Sequence, residues 1–186
     1  VMSDAMHALA SVGYTGDTGA DADHLKTPAD IEATAAAGFV FFTIDPSGEV
    51  DLQADNYDQA TVDSKFKLVA DQIDWLDQYH GKEIKLHTGT QIIFDDATLR
   101  RAAVKYGRAL NLAVSLADHI KKTADHLGQG HEIELSVDET PQPTTLAEHY
   151  IIADQMLRHG ARLVSLAPRF VAEFEKGVDY KGDLSA

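Results

Sequence analysis

Apolar residues recur at the three- and four-residue spacing of an amphipathic helix in several stretches of the chain. The longest stripe predicts a helix over residues 99–120, where leucines, alanines, a tyrosine and an isoleucine share one face. Shorter stripes predict helices over residues 2–12 and 62–76.

Two further helices are marked by their start and stop signals. Thr27 precedes Pro28, which suits an N-cap followed by the first helical position, and Gly38 provides the expected left-handed end. The capping-box sequence at residues 145–148 opens a second helix, which we expect to end at Gly160. Each helix is followed by a strand-like segment.

Short runs of apolar residues predict strands. Residues 39–44, 133–137 and 163–167 are runs of strand length, and residues 83–87 alternate as in a half-exposed strand. The unbroken run at 39–44, closed by Asp45, is typical of a strand covered on both faces, as in parallel sheets. Strands and helices therefore alternate in the rhythm of a parallel α/β fold.

Polar side chains gather directly after the strand-like segments, a pattern typical of the carboxyl-terminal rim of an α/β barrel. No Gly-x-Gly-x-x-Gly motif follows a strand, so the pattern favours a (β/α) barrel of the TIM type over a doubly wound sheet. Only about four βα units are present, whereas a closed barrel has eight. We therefore expect residues 1–186 to form a single α/β domain that represents half a barrel. The other half either lies outside this sequence or is supplied by a second copy of the chain in a homo-oligomer.

Composition narrows the class of protein. A formal charge of −14 and the lack of a basic face argue against nucleic acid and anionic membranes as partners. No apolar run approaches the roughly 20 residues that a membrane span needs, and residues 1–13 do not have the pattern of an export signal. The sequence has no cysteine, which excludes disulfide and thiolate chemistry and makes a cytoplasmic location the expectation.

The first candidates for catalytic or metal-binding residues are Asp23 and His24, which lie between a glycine-rich stretch and the capped helix. Because adjacent side chains at a strand end can point in different directions, one of the two could bind a metal while the other acts as a base. The alternative is an Asx-type turn with an exposed imidazole. The tripeptide Ala-Asp-His occurs twice more, at residues 117–119 and 124–126, where we expect a solvated helix face. Only the position of the first copy therefore distinguishes it.

Other candidates follow later strand-like segments. His87 could be a second metal ligand or a substrate contact, or it could simply be a histidine on the rim. Asp138 and Glu139 form a carboxylate pair that could act as acid and base, or a solvated turn. Arg169 could bind a substrate carboxylate, or it could be a surface arginine.

Several of these segments, taken in order, resemble the tagaturonate/fructuronate epimerase family. The segments that carry the resemblance are residues 22–30, 38–47, 86–90, 136–140, 165–170 and 174–180. Members of that family are roughly twice this length or more, depend on a metal and act in hexuronate catabolism. The resemblance implies that Asp23 is the base and His24 a metal ligand. It also implies an acidic proton donor, which we place at Glu139, with Asp138 and Glu134 as alternatives.

The resemblance leads to a specific hypothesis, the interconversion of D-tagaturonate and D-fructuronate by inversion at C4. It implies a divalent metal cofactor (Zn, Mn, Ni or Fe), a small sugar acid as substrate, and further metal histidines beyond Ala186. The remaining expected substrate contacts are Lys26, Asp45, His87 and Arg169. The rival hypotheses are another metal-dependent sugar isomerase or aldolase on the same barrel, and a non-catalytic half-barrel.

Overall fold

The computed structural model describes residues 2–171, in which helices and strands alternate as the sequence predicts. The helices are α1 (Met2–Ser11), α2 (Pro28–Ala36), α3 (Gln59–Val69), α4 (Leu76–Tyr79), α5 (Asp96–Leu127) and α6 (Leu146–Arg158). The strands are β1 (Asp21–Leu25), β2 (Phe41–Ile44), β3 (Glu83–Lys85), β4 (Gln91–Ile93), β5 (Glu132–Val137) and β6 (Leu163–Pro168). The sequence segment 174–180, which contributes to the family resemblance, lies outside the described residues.

The main sheet has four strands in the order β1-β2-β5-β6, and every neighbouring pair is parallel. The predicted parallel α/β fold is therefore confirmed. Neighbours in the sheet follow one another in chain order, with no reversal of direction across the sheet. All four strands consequently end at the same edge, which we call the carboxyl edge.

One face of this sheet forms the hydrophobic core together with α2, α5 and α6. Ala22 of β1, Phe42 and Ile44 of β2, and Leu135 of β5 are all at most 4% exposed and pack in one cluster. Strand pairing explains this arrangement, since Ala22 lies opposite Phe42 and Ile44 lies opposite Leu135. Removing each large apolar side chain from water contributes roughly 1.5–3 kcal/mol to folding.

Helix α5 is the central helix of the domain and packs against α2, α3 and α6. Asp95 caps its start by accepting a hydrogen bond from the Thr98 N–H, and Gly128 ends it in the left-handed conformation with φ +67°. The predicted stripe over 99–120 is the buried face of this helix. The copies of Ala-Asp-His at 117–119 and 124–126 place Asp118, Asp125 and His126 on its exposed side, as expected.

Both predicted helix starts are confirmed by reciprocal hydrogen bonds. Thr27 and Asp30 form a capping box at the start of α2, and Thr145 and Glu148 form one at the start of α6. Each box satisfies backbone N–H groups that no helical carbonyl can reach. The first box lies directly after β1 and fixes the direction in which the chain leaves the carboxyl edge.

The prediction of one continuous helix over 62–76 is wrong, because α3 ends at Val69 and a 3₁₀ turn follows. The break lets Ile73 pack on α5 at Gly107, where a β-carbon would lie only 2.5 Å from the Ile73 side chain. Asn111 of α5 also donates a hydrogen bond to the Gln72 carbonyl at 2.9 Å. Tertiary contacts with α5 thus replace the helical hydrogen bonds that the apolar spacing predicted.

The predicted strand at 83–87 exists only as β3, and it does not join the main sheet. It pairs antiparallel with β4 in a two-stranded hairpin between α4 and α5. Leu86 and Thr90 close the hairpin through a backbone hydrogen bond of 2.8 Å. In residues 2–171, no helix has both the length and the apolar character required to cross a membrane.

Candidate active site at the carboxyl edge

Polar side chains converge at the carboxyl edge because four parallel strands end there. Asp23 and His24 belong to the end of β1, and Lys26 comes directly after it. Asp45 follows β2, Glu139 lies two residues after β5, and Arg169 follows β6. The residues at the carboxyl edge are therefore Asp23, His24, Lys26, Asp45, Glu139 and Arg169. This is the rim on which the sequence pattern predicted the site.

Asp23 and His24 lie inside β1 rather than in the turn that the sequence suggested. The register slips between Ala22 and Leu25, so both residues lie opposite the single residue Thr43 of β2. In residues 2–171, His24 is the only residue other than glycine with a positive φ, +54°. A left-handed backbone costs an ordinary residue roughly 1–2 kcal/mol, and such strain persists where the surrounding structure fixes it.

Asp45 is the buried centre of the site. Its carboxylate is 3% exposed, whereas Lys26 is 54% exposed and His24 is 43% exposed. One oxygen, Oδ2, lies 3.1 Å from His24 Nδ1 and 3.1 Å from Lys26 Nζ. The other oxygen, Oδ1, accepts a hydrogen bond from the Ser47 backbone N–H at 2.9 Å. The ends of β1 and β2 are therefore joined through one carboxylate.

The charges at this edge favour an ionised Asp45. Burial alone raises the pKa of Asp45, but hydrogen bonds from Ser47 and the Lys26 ammonium together hold it below its ordinary value. The hydrogen bond and negative charge of Asp45 raise the pKa of Lys26. The Glu139 carboxylate adds to the rise in the pKa of Lys26, so Glu139 lies within electrostatic range of the β1 end.

A second polar group lies on the sheet face opposite the core. Asp21 accepts hydrogen bonds from the Thr43 hydroxyl at 2.9 Å through both carboxylate oxygens. Burial raises the pKa of Asp21, and the negative charges of Asp23 and Glu134 raise it further, against the hydrogen bond from Thr43. The carboxylates of Asp23 and Glu134 thus repel the partly buried carboxylate of Asp21 next to the site.

The raised pKa of Asp21 gives a testable effect of pH. Because folding raises the pKa of Asp21, its ionisation destabilises the fold, and this destabilisation disappears as pH falls through the raised pKa. We expect Asp21→Asn to increase the free energy of unfolding at pH 7 by about 0.5 kcal/mol or less, since solvent screens half-exposed charges. Urea unfolding at pH 7 and at pH 4 measures the difference, and the gain should shrink at pH 4. A larger gain at pH 4 than at pH 7 would contradict this account.

The loops after β5 and β6 are tied together at the same edge. Ser136 donates a hydrogen bond to Asp138 at 2.5 Å, while Glu139 is exposed. The Arg169 N–H donates to the Thr144 hydroxyl at 3.0 Å, and the Arg169 carbonyl accepts from the Thr144 N–H at 2.8 Å. The backbone of Arg169 therefore anchors the loop that carries Asp138 and Glu139, and its side chain is half-buried.

Two predicted substrate contacts have a different setting from the one expected. His87 is exposed in the turn of the β3–β4 hairpin and not at the end of a strand of the main sheet. Asp45 is at the predicted edge, but its carboxylate is buried and already accepts bonds from Ser47, His24 and Lys26. Its contacts are those of a residue that supports other side chains.

The edge supplies part of a metal-binding set. His24 Nε2 points toward Asp23, with 3.5 Å between Nε2 and Oδ1. Imidazole nitrogen and carboxylate oxygen are donors that Zn, Mn, Ni and Fe accept. Within the described range 2–171, no group of three or more histidine, aspartate or glutamate side chains could hold a metal ion. The described residues could therefore supply a metal ion with one imidazole ligand, His24, and one neighbouring carboxylate, Asp23.

Sequence reasoning missed a buried ion pair beneath these loops. Lys105 of α5 is 1% exposed, and its ammonium lies 2.7 Å from Asp55 and 3.4 Å from Glu148. Glu148 belongs to the capping box of α6, and Asp55 lies in a 3₁₀ turn after β2. One sequence signal was available, because Lys105 lies between Val104 and Tyr106 on the most apolar part of the α5 stripe.

Comparisons with known proteins agree with one another. The family model described as UxaE, tagaturonate epimerase, matches residues 1–186. The chain is 37% identical over 188 residues to the tagaturonate/fructuronate epimerase of Thermotoga maritima. It is also similar to crystal structures of fructuronate-tagaturonate epimerase UxaE from Cohnella laeviribosi, at 32% identity. The native structure gives a TM-score of 0.85, and a structure with one glycerol gives 0.86.

These comparisons cover the whole chain but only part of each relative. The match to the Thermotoga protein includes 100% of this chain and 37% of that protein. The structural matches include 96% of this chain and 36% of the Cohnella chain. The chain thus spans little more than a third of the length of the relatives that it matches.

Proposed function

Since the chain belongs to the tagaturonate epimerase family, we propose that the protein interconverts D-tagaturonate and D-fructuronate by inversion at C4. The observation that carries the proposal is the convergence of Asp23, His24, Lys26 and Glu139 at one sheet edge, in a chain 37% identical to a tagaturonate/fructuronate epimerase. The relatives are named as epimerases, which favours this function over another sugar isomerase, an aldolase or a non-catalytic half-barrel.

We propose a (β/α)₈ barrel of the TIM type as the complete architecture. Four parallel strands adjacent in chain order support it, because a doubly wound sheet reverses its strand order at a switch point. The catalytic groups of such barrels lie at the carboxyl ends of the strands. That position is the one occupied by the residues of this site.

The reaction itself dictates which groups are needed. The C4 hydrogen is not adjacent to the C2 ketone, so simple enolisation cannot invert C4. Removal of the C4 hydroxyl proton allows the C3–C4 bond to open, and its electron pair passes into an enediolate at C2 and C3. The aldehyde formed at C4 can rotate, and the bond re-forms on its other face. The C4 oxygen regains a proton at the end.

Asp23 and Glu139 suit the two proton transfers. Asp23 is 56% exposed at the edge, so its carboxylate is accessible and can accept the C4 hydroxyl proton. Glu139 is exposed on the facing loop, within electrostatic range of Lys26, and can return a proton to the C4 oxygen. Lys26 contacts the Asp45 carboxylate, lies within electrostatic range of Glu139 and, with Arg169, is available to bind the substrate carboxylate.

His24 would hold the divalent metal through Nε2, with the Asp23 carboxylate nearby. A bound metal of this class acts as a Lewis acid that stabilises negative charge developing on substrate oxygens. Asp45 holds the opposite side of the same imidazole. His87, exposed on the β3–β4 hairpin, is a further proposed substrate contact.

The function is tested by NMR with the whole protein and each uronate in deuterated water, in separate samples that contain Zn²⁺, Mn²⁺, Ni²⁺ or Fe²⁺. We expect each uronate to be converted into the other with no deuterium at C4, because the C4–H bond is never broken in this route. Deuterium at C4 would show direct proton abstraction instead. Absence of C4 inversion with every one of the metals Zn, Mn, Ni and Fe would contradict the proposed function.

A further inference from the structure

The carboxylate of Asp45 lies within hydrogen-bond distance of nitrogen atoms from three residues. Ser47 donates its backbone N–H to Oδ1 at 2.9 Å, and Lys26 Nζ lies 3.1 Å from Oδ2. His24 Nδ1 lies 3.1 Å from the same Oδ2. The Lys26 ammonium and the Ser47 backbone N–H can only donate hydrogen bonds, so both oxygens of the Asp45 carboxylate act as acceptors. The nitrogen of His24 that faces Asp45 must therefore carry the proton.

The other ring nitrogen of His24, Nε2, has a weaker hydrogen-bond acceptor nearby, so it competes poorly with Nδ1 for the single proton of the neutral imidazole. His24 Nε2 lies 3.5 Å from Asp23 Oδ1, which is longer than a normal N–H···O hydrogen bond, and Asp23 is 56% exposed. The contact with Asp45 is shorter and is made to a carboxylate that is 3% exposed. A proton on Nδ1 leaves an electron pair on Nε2 in the plane of the ring.

The backbone of His24 supports the same orientation. The extra residue in β1 and the left-handed φ of +54° turn the side chain across the end of β2, where Asp45 stands. Asp45 is itself fixed there, because its own N–H donates to the Leu25 carbonyl at 3.0 Å. Backbone and side-chain contacts thus hold the imidazole and the carboxylate in one relative position.

We propose that Asp45 is a positioning residue that selects the Nδ1–H tautomer of His24 and presents Nε2 as the metal-binding nitrogen. The metal-binding part rests on the proposed function, whereas the tautomer can be measured without metal. Carboxylates that orient metal-binding histidines in this way raise metal affinity, and their loss typically weakens it by about 10–100-fold. Asp45 therefore acts through His24 and does not contact the substrate.

The decisive experiment is long-range ¹H–¹⁵N NMR of the imidazoles in the metal-free whole protein at pH about 9, where histidines are neutral. The His24 signals are assigned by their loss in His24→Gln. In the unmodified protein, we expect Nδ1 to be protonated and Nε2 to be unprotonated. A protonated Nε2 in the unmodified protein would overturn the proposal without any need for a variant.

The informative variant is Asp45→Asn, which keeps the size of the side chain. Its amide oxygen can accept from the Ser47 N–H, so its NH₂ group faces His24 Nδ1 and requires that nitrogen to accept a hydrogen bond. We expect the proton to move to Nε2 and Zn²⁺ to bind about 10–100-fold more weakly in a calorimetric titration. Retention of the Nδ1–H tautomer, or an unchanged affinity for Zn²⁺, would overturn the proposal.

Lys26→Met is the matched control because it removes the other side-chain donor to the same Asp45 oxygen. We expect the Nδ1–H tautomer to persist in Lys26→Met, and a switch there would also overturn the proposal. Thermal unfolding monitored by circular dichroism establishes that each variant is folded. Lack of epimerisation by an unmodified protein with the expected tautomer would contradict the proposed function and leave the tautomer assignment standing.

Discussion

Asp23→Asn is expected to lower kcat for the epimerisation by about 10²–10⁴-fold, the typical contribution of a positioned general base. Asparagine has nearly the same shape as aspartate but cannot accept the C4 hydroxyl proton. Because Asp23 is 56% exposed, the change should have little effect on folding. Initial rates at saturating substrate and metal measure the effect, and unfolding in urea shows that the variant is folded.

The chain supplies a matched control for this variant. Asp118 lies in the second Ala-Asp-His tripeptide, on the exposed side of α5, and is not one of the residues at the carboxyl edge. Asp118→Asn changes the same residue in the same local sequence and should leave kcat within about twofold of the original. A loss of less than about tenfold in Asp23→Asn would show that Asp23 is not the base.

Lys105→Met is expected to lower the free energy of unfolding by about 3–5 kcal/mol, because it leaves the buried Glu148 and the half-buried Asp55 without their cation. Glu148 is 4% exposed and Asp55 is 19% exposed, and both contact the Lys105 ammonium. The methionine side chain fills similar space, so the loss comes from charge and not from a cavity. Urea unfolding of the whole protein at pH 7 measures the effect.

The same variant should show a characteristic pH dependence. Burial raises the pKa of Glu148, and the charge of Lys105 partly opposes this rise. Without Lys105, the folded-state pKa rises further above the unfolded value, so the penalty is smallest at acidic pH and grows as pH rises through that pKa. We therefore expect the stability difference to be smaller at pH 5 than at pH 7.

Two further variants isolate the ion pair. Lys122→Met replaces an exposed lysine of the same helix and should change stability by about 0.5 kcal/mol or less. Adding Glu148→Gln to Lys105→Met removes one of the unpaired charges and should recover part of the loss. Equal losses in Lys105→Met and Lys122→Met would show that the buried pair contributes nothing measurable.

Local signals in the sequence were sufficient where the chain obeys local rules. The hydroxyls of Thr27 and Thr145, each followed three residues later by an acid, predicted two helix starts that the structure confirms. The apolar runs before Asp45 and Asp138 predicted two central strands and hence the edge where they end. The order of strands and helices then indicated a parallel sheet.

The sequence was misleading where distant residues decide the structure. Asp21–Leu25 is too polar to be identified as a strand, because its polar side chains face Thr43 and Asp45 instead of a core. Residues 83–87 have strand periodicity, but periodicity does not show which sheet a strand joins. Lys105 is buried because Asp55 and Glu148 neutralise it, and those contacts join parts of the chain far apart in sequence.

Lys26 and His24 share a single oxygen of Asp45, and this sharing would couple the binding of substrate to the binding of metal. A substrate carboxylate that attracts Lys26 would leave Asp45 Oδ2 entirely to the imidazole, and so would strengthen the hydrogen bond between Asp45 and His24. Thermodynamic linkage makes this effect mutual, so each ligand would bind more tightly in the presence of the other. Cooperative binding of substrate and metal would then depend on one carboxylate oxygen and would require no movement of the sheet.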